Sequence, residues 1–286
     1  MGLRCYGFQS LDGQIAYCTR ENYAGYLTSP VGDGSMWLHQ LGKTCKCGLA
    51  HGIPAPEIEP PSPAEKRKAD AKVWDIWHDT TTSPSGPHIR YLHRRSLDPG
   101  RLPSSLRFTD ELERWDRGNL QMFPAMIAGV FDLSESVSGR QIGIHRTYLQ
   151  SSGEKAPGVA RKSLGPISGG CIPLGRPPNG TVGVTEGIET ALSVQQSTGL
   201  ICWAAISASG MQALRLPDRI KSVIIFAEPD QAGQKSADKA AERWAQEGRS
   251  VRVALSPDGD ANDVLMKDGL QAVQSLLARS KPCGSP

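Results

Sequence analysis

The 286-residue chain sets 32 Lys and Arg against 29 Asp and Glu, a net charge of +3 with its six histidines neutral. So small an excess excludes bulk positive charge as the basis of any nucleic-acid binding and turns attention to how the charge is distributed. With 38% hydrophobic residues, 31 Gly and 21 Pro, the chain reads as globular and loop-rich, long enough for two domains or one plus a small module, and no run of 18 apolar residues offers a membrane span.

The opening MGLRCYGFQSLDG has no apolar core of the signal-peptide kind, so a cytoplasmic location with no membrane partner is expected. Seven cysteines are then thiols or metal ligands rather than disulfides. Six Cys and His residues fall within 1–52: Cys5, Cys18, His39, Cys45, Cys47 and His51. Thiolate and imidazole are the ligands of tetrahedral Zn2+, which holds together a segment too small for its own core. Cys18, Cys45, Cys47 and His51 are the first choice for a structural zinc, and Cys5 can replace any one of them. The spacing departs from paired C-x-x-C ribbons, which leaves open a reduced hairpin with incidental cysteines.

Residues 53–63, IPAPEIEPPSP, hold five prolines and read as an extended linker; with the following helix they make a connecting segment over 53–85. The helix is expected over 64–79, with Val73, Trp74 and Trp77 on one face, and a second over 88–97, with Arg94 and Arg95 on its polar side. Residues 122–149 read as two strands about a turn at SVSG. Alternation in the second places Ile142 and Ile144 on one face and Gly143 and His145 on the other. Basic residues cluster over 86–162, and a phosphate track needs such cations on rigid elements.

From residue 180 the chain alternates strand and helix, the mark of a parallel sheet. VGVTEGIETALS places Glu186 at a strand end, SVIIFAEPDQAGQKSA places Glu228 and Asp230 at another, and VRVALSPDGDANDVL places Asp258, Asp260 and Asp263 at a third. Ligands of open α/β sheets bind at the carboxyl ends of the strands. Carboxylates gathered there repel until a hard divalent cation neutralises them.

These three ordered motifs resemble the Toprim domain, the metal-binding module of bacterial primases, topoisomerases, OLD-family nucleases and recombination mediators. Glu186 matches the first-motif glutamate, Glu228 and Asp230 the second motif with Gly233 closing it, and Asp260 or Asp263 the third. The departure is Glu228, where the family usually has Asp. The stretch FPAMIAGVFDLSESVSGRQIGIHRTYLQSSGEKAPGVARKSLGP (123–166) resembles the N-terminal half of the primase RNA-polymerase core and the domain before Toprim in primase-like proteins of plasmids and phages.

The resemblance implies an α/β fold: a Toprim-type parallel sheet with flanking helices over 179–280, preceded by a mixed α+β basic subdomain over 86–178 and the Cys/His-rich module. It implies Mg2+ or Mn2+ at Glu186, Glu228, Asp230, Asp260 and Asp263, with Glu186, Glu228 and Asp230 as the catalytic set. Arg146 and Lys162 would touch template or nucleotide phosphates, assisted by Arg161 and Lys155. The activity implied is a DNA primase making short primers on single-stranded DNA from nucleoside triphosphates, with any replicative helicase on a separate chain, since no P-loop motif is found. The alternatives are a Toprim nuclease or nicking enzyme, and a non-catalytic DNA-binding mediator of recombination or replication.

Overall fold

A computed structural model describes residues 7–9, 15–18, 37–40, 63–116, 118–136 and 138–283. The chain divides into two units, Met1–Ser62 and Pro63–Pro286. Of the first, three strands are described: β1 (Gly7–Gln9), β2 (Ile15–Cys18) and β3 (Trp37–Gln40), an antiparallel sheet in sequence order. Cys18 ends β2, whereas Cys5, Cys45, Cys47 and His51 lie outside the described residues, and with them the zinc expectation.

The second unit begins with α1 (Pro63–His78) and α2 (Gly86–Arg94). Ser85 caps α2 in a capping box with His88, and Pro87 sits in the first turn, where its missing N–H costs nothing. An antiparallel sheet follows in sequence order: β4 (Leu106–Asp116), β5 (Asn119–Asp132), β6 (Arg140–Tyr148) and β7 (Arg161–Leu164). The last two are the pair that positions the basic residues. His145 lies opposite Ser163, Arg146 opposite Lys162 and Thr147 opposite Arg161.

Alternation holds along β6 from Gly143 onward but not before it. The pairing with β5 shifts between Val130 and Phe131, which leaves Ile142 as the extra residue of a bulge. Ile142 therefore packs with Tyr91, Leu106 and Met126, while Ile144 packs on the other side with Val73, Leu112 and Tyr148. The expectation that the two isoleucines share a face fails for this reason.

The third sheet has the order β13-β12-β11-β9-β10-β8. Its central strands are parallel: β9 (Thr181–Thr185), β10 (Cys202–Ala204), β11 (Ser222–Ala227) and β12 (Ser250–Leu255). The short edge strands β8 (Ile172–Pro173) and β13 (Lys281–Pro282) run antiparallel. The helices are α3 (Ile188–Thr198), α4 (Ala208–Ala213), α5 (Gln231–Gln246), α6 (Ala261–Asp268) and α7 (Leu270–Ala278). Central strands of near-continuous apolar sequence are what a sheet covered on both faces requires. One face packs against α5 and α4 through Val182, Val184, Ile225 and Trp244. On the other, Cys202 and Phe226 join Ile188, Val194, Leu265 and Val273 of α3, α6 and α7.

That second cluster does not stop at residue 179. It runs on through Tyr91 and Leu92 of α2 and Phe108, Met126 and Ala128 of the antiparallel sheet. The basic region and the parallel sheet therefore share one core. No described helix is long and apolar enough to cross a membrane.

Candidate active site

All three acidic motifs stand at the carboxyl ends of parallel strands. Glu186 lies between β9 and α3, Glu228 follows β11 directly, and Asp260 caps α6 after β12. Glu186 is half-buried. Burial first, then the charges of Glu228 and Asp230, push its carboxyl up to about 7 against a hydrogen bond from the Ala208 backbone N–H. Glu228 is pushed up by burial and by Asp260, Asp230 and Asp263, and pulled down by Arg161. The loop after β10 shapes the Glu186 turn: the Ile206 N–H donates to the Glu186 carbonyl at 2.8 Å, from a residue held at φ +75°. A β-branched side chain in that region is strained backbone.

Asp230 caps α5, its Oδ1 accepting the Gly233 N–H at 2.6 Å. Asp260 is more fully committed. Its Oδ1 accepts from the backbone N–H of Asn262 at 2.7 Å and of Asp263 at 2.9 Å, and its Oδ2 from the Thr190 hydroxyl at 2.8 Å. Asp263 returns the bond, accepting the Asp260 N–H at 3.2 Å. The third motif is thus a capping box that orders the start of α6. Gly259, at φ +62°, has no room for a Cβ beside the Asp263 carboxylate. Asn262 is buried and joins Ser193 of α3 (2.9 Å) to the Arg95 carbonyl (2.7 Å).

Whether these residues suit a divalent cation is decided by their chemistry. Half-buried carboxylates that push one another up form a set whose repulsion a hard cation relieves. Glu186, Glu228 and the exposed Asp230 fit that role. Asp260 and Asp263 add negative field while serving α6. Among the described residues no three His, Cys, Asp or Glu side chains already converge into a finished cage.

The basic residues divide by strand parity. Arg161, Ser163 and His145 share one face of the antiparallel sheet, and Arg146 and Lys162 the other. Arg161 is near enough to Glu228, Tyr91 and His145 for its charge to act on all three. Arg146 instead donates to the carbonyls of Ser163 (3.2 Å) and Lys162 (3.4 Å) and stacks on Tyr148. Lys162 donates to the Trp115 carbonyl at 2.9 Å. Arg94 makes an exposed pair with Glu154 at 3.7 Å, and Arg95 reaches the Asn262 side chain at 3.2 Å. His145 is buried and neutral: burial and Arg161 hold its imidazole down to about 4, and its Nδ1 lies 2.9 Å from the Ser163 hydroxyl.

One charged residue escapes a reading of the sequence. Glu189, three residues beyond Glu186, is 7% exposed in the first turn of α3. It accepts from the Tyr91 hydroxyl and pairs with Lys155 at 3.0 Å. Burial opposes its charge, but Lys155 and Tyr91 prevail and hold the carboxyl down at about 2. The only signal was its place in the first turn of a helix, where an acidic side chain is ordinary.

Comparison with known proteins agrees with this geometry. Residues 181–271 match the family described as Toprim domain, and residues 67–174 match a domain of unknown function (DUF7146). No curated protein sequence matches the chain. Among solved structures, a DnaG primase catalytic domain bound to ssDNA is similar at 18% identity, with 77% of this chain and 81% of that chain covered and a TM-score of 0.54. A DnaG catalytic core follows at 17% identity, 75% and 81% covered, TM-score 0.53. The RNA polymerase domain of Mycobacterium tuberculosis primase DnaG is similar at 17% identity, 78% and 85% covered, TM-score 0.50. The chain carries a Toprim domain. Beyond that domain, its fold is the mixed α/β fold of primase catalytic cores.

Proposed function

We propose that this protein is a primase-like nucleotidyltransferase that extends short primers on single-stranded DNA from nucleoside triphosphates. One observation carries the reading: in a unit whose antiparallel and parallel sheets share one core, the charge of Arg161 on β7 acts on Glu228 at an acidic strand end. A cation beside a carboxylate cluster is the pairing a triphosphate needs. Its phosphates are neutralised on one side by fixed positive charge and on the other by metal.

Mg2+ or Mn2+ held by Glu186, Glu228 and Asp230 would supply charge neutralisation at the phosphates. The residues themselves do the rest. Glu186, raised to about 7, takes up a proton near neutral pH and suits a general base at the attacking hydroxyl. Asp230 and Asp260 cap the starts of α5 and α6, which fixes both helices at the acidic strand ends. Arg161 and Lys155 meet the phosphates. Arg146 and Lys162, on the opposite face, stiffen the strand pair that presents them.

The same carboxylates cleave phosphodiesters when water replaces the hydroxyl, so one assay decides. The protein is incubated with labelled single-stranded DNA, nucleoside triphosphates and Mn2+ or Mg2+. New oligonucleotides that require the triphosphates support the proposal. Shortening of the DNA without triphosphates replaces it with a nuclease, and binding in EDTA with no product replaces it with a mediator.

A further inference from the structure

The turn between β6 and β7 is built to hold one side chain still. Leu149 and Lys155 bridge across it, the Gln150 N–H donates to the Glu154 carbonyl at 2.7 Å, and the Gln150 side chain donates to the Lys155 carbonyl at 3.1 Å. Gly153, at φ +82°, lies so close to α2 that a Cβ there would meet the Tyr91 backbone nitrogen at 2.8 Å. The turn is thereby pressed against α2, and Lys155 leaves it toward α3. Its ammonium lies 3.0 Å from Glu189 Oε1 and 5.9 Å from the centre of the Tyr91 ring.

A buried ion pair is poor support for stability, because desolvating both charges consumes most of what their attraction returns. An apolar pair would fill the space equally well. What the charge provides here is direction. Glu189 follows Glu186 by three residues, in the first turn of α3, and its carboxylate accepts the Tyr91 hydroxyl. The Lys155 side chain keeps 27% of its surface exposed. An ammonium has three donors, and among the described residues its carboxylate partner is Glu189. The Arg161 charge acts on Tyr91 and His145 beside this pair and on Glu228 at the acidic strand ends.

We propose that Glu189 is a positioning residue: it holds the Lys155 ammonium beside the acidic cleft, with donors turned outward for the phosphates of an incoming nucleoside triphosphate. The inference rests on the nucleotide reading above and adds to it the residue that sets the phosphate contact.

The test is equilibrium binding of a fluorescent adenosine triphosphate and the matching monophosphate, in Mg2+, to the full chain. Wild type is compared with Lys155→Met, Glu189→Gln, Glu189→Asp and the double variant Glu189→Gln/Lys155→Met. Lys155→Met weakens triphosphate binding about tenfold, the worth of one charge-assisted hydrogen bond. Glu189→Gln weakens it to the same degree, the double variant weakens it no further, and Glu189→Asp restores part of it. The preference for triphosphate over monophosphate falls in step, which a general loosening of the fold does not produce. The double variant leaves no unpaired buried charge, so it reads the effect even where Glu189→Gln alone fails to fold. Triphosphate affinity unchanged in Glu189→Gln while Lys155→Met loses it, or additive losses in the double variant, overturns the positioning role and leaves the nucleotide reading standing. No triphosphate binding by wild type overturns both.

Discussion

The Thr190 hydroxyl donates to Asp260 Oδ2 at 2.8 Å, so the helix that follows the first acidic motif is fastened to the residue that opens the third. Two motifs 70 residues apart are thereby held at a fixed separation by one hydrogen bond between side chains. Thr190→Val keeps the shape and removes the donor. It is expected to cost about 1.5 to 3 kcal/mol of stability, the range for a hydrogen bond to a charged acceptor. Any nucleotidyl transfer falls with it. Urea unfolding and the primer assay, run on the same preparation, check both.

Glu186 gives the fold a pH signature. Its carboxyl is raised to about 7 in the folded state from an ordinary 4.5, so the folded chain holds this proton more tightly than the unfolded chain. Stability contributed by the group falls as pH rises from about 4.5 to about 7 and then levels. In EDTA, the melting temperature of Glu186→Gln is expected to lack this decline. Mg2+ is expected to suppress it in wild type, by favouring the ionised form. Glu186→Gln and Asp230→Ala should each abolish catalysis with the circular-dichroism spectrum unchanged.

At acid pH the sign reverses. Glu189 is held at about 2, below its ordinary value of 4.5, so its contribution is present above 4.5 and lost as pH falls toward 2. The size is on the order of 3 kcal/mol. His145, held near 4 rather than 6.5, loses its contribution between those two values as the imidazole is forced to charge. Between about pH 6.5 and 4.5 the His145 loss is offset by the gain at Glu186, so acid unfolding should set in below about 4.5, where Glu189 begins to lose its contribution. Glu189→Gln should remove that loss, as followed by tryptophan fluorescence.

Strand parity separates two arginines that look alike in sequence. Arg161→Ala should weaken single-stranded DNA or nucleotide binding and lower the salt slope by about 0.7, the value for one phosphate contact on a single strand. Arg146→Ala should leave the slope alone and lower the melting temperature instead, because its guanidinium serves the Ser163 and Lys162 carbonyls. Titrations at three salt concentrations decide between them.

Glu228 replaces the shorter aspartate usual in the second motif, and its longer reach suits a cation that tolerates irregular coordination. Activity with Mn2+ is expected to exceed that with Mg2+, which demands a near-ideal octahedron. Glu228→Asp should shift the preference toward Mg2+, and Glu228→Ala should lower activity with both. Equal rates with the two metals in wild type would remove Glu228 from the metal's immediate ligands.

The acidic motifs were legible because apolar strand, acid and helix recur in order, and that pattern depends only on local sequence. Less was legible where one pattern serves two purposes. DGDAND reads as clustered ligands, yet the same spacing is a capping box, and only the Thr190 contact shows where the oxygens of Asp260 are spent. Strand β4 was missed because its middle, TDELER, has the charge density of a solvated helix. A shift in its pairing between Thr109 and Leu112 also breaks the alternation that would mark a strand. The different roles proposed for Arg146, Lys162 and Arg161 rest on which face each occupies, which the register of β6 against β7 fixes and composition does not.

The continuous core beneath the basic sheet and the parallel sheet bears on how a substrate enters. Tyr91, Phe108 and Met126 pack in the same cluster as Ile188, Val194 and Leu265, so the antiparallel sheet that carries Arg161 and the parallel sheet that carries Glu186 rest on one apolar core. On the proposed reading, a nucleotide or single strand would meet residues whose relative placement is set before it arrives.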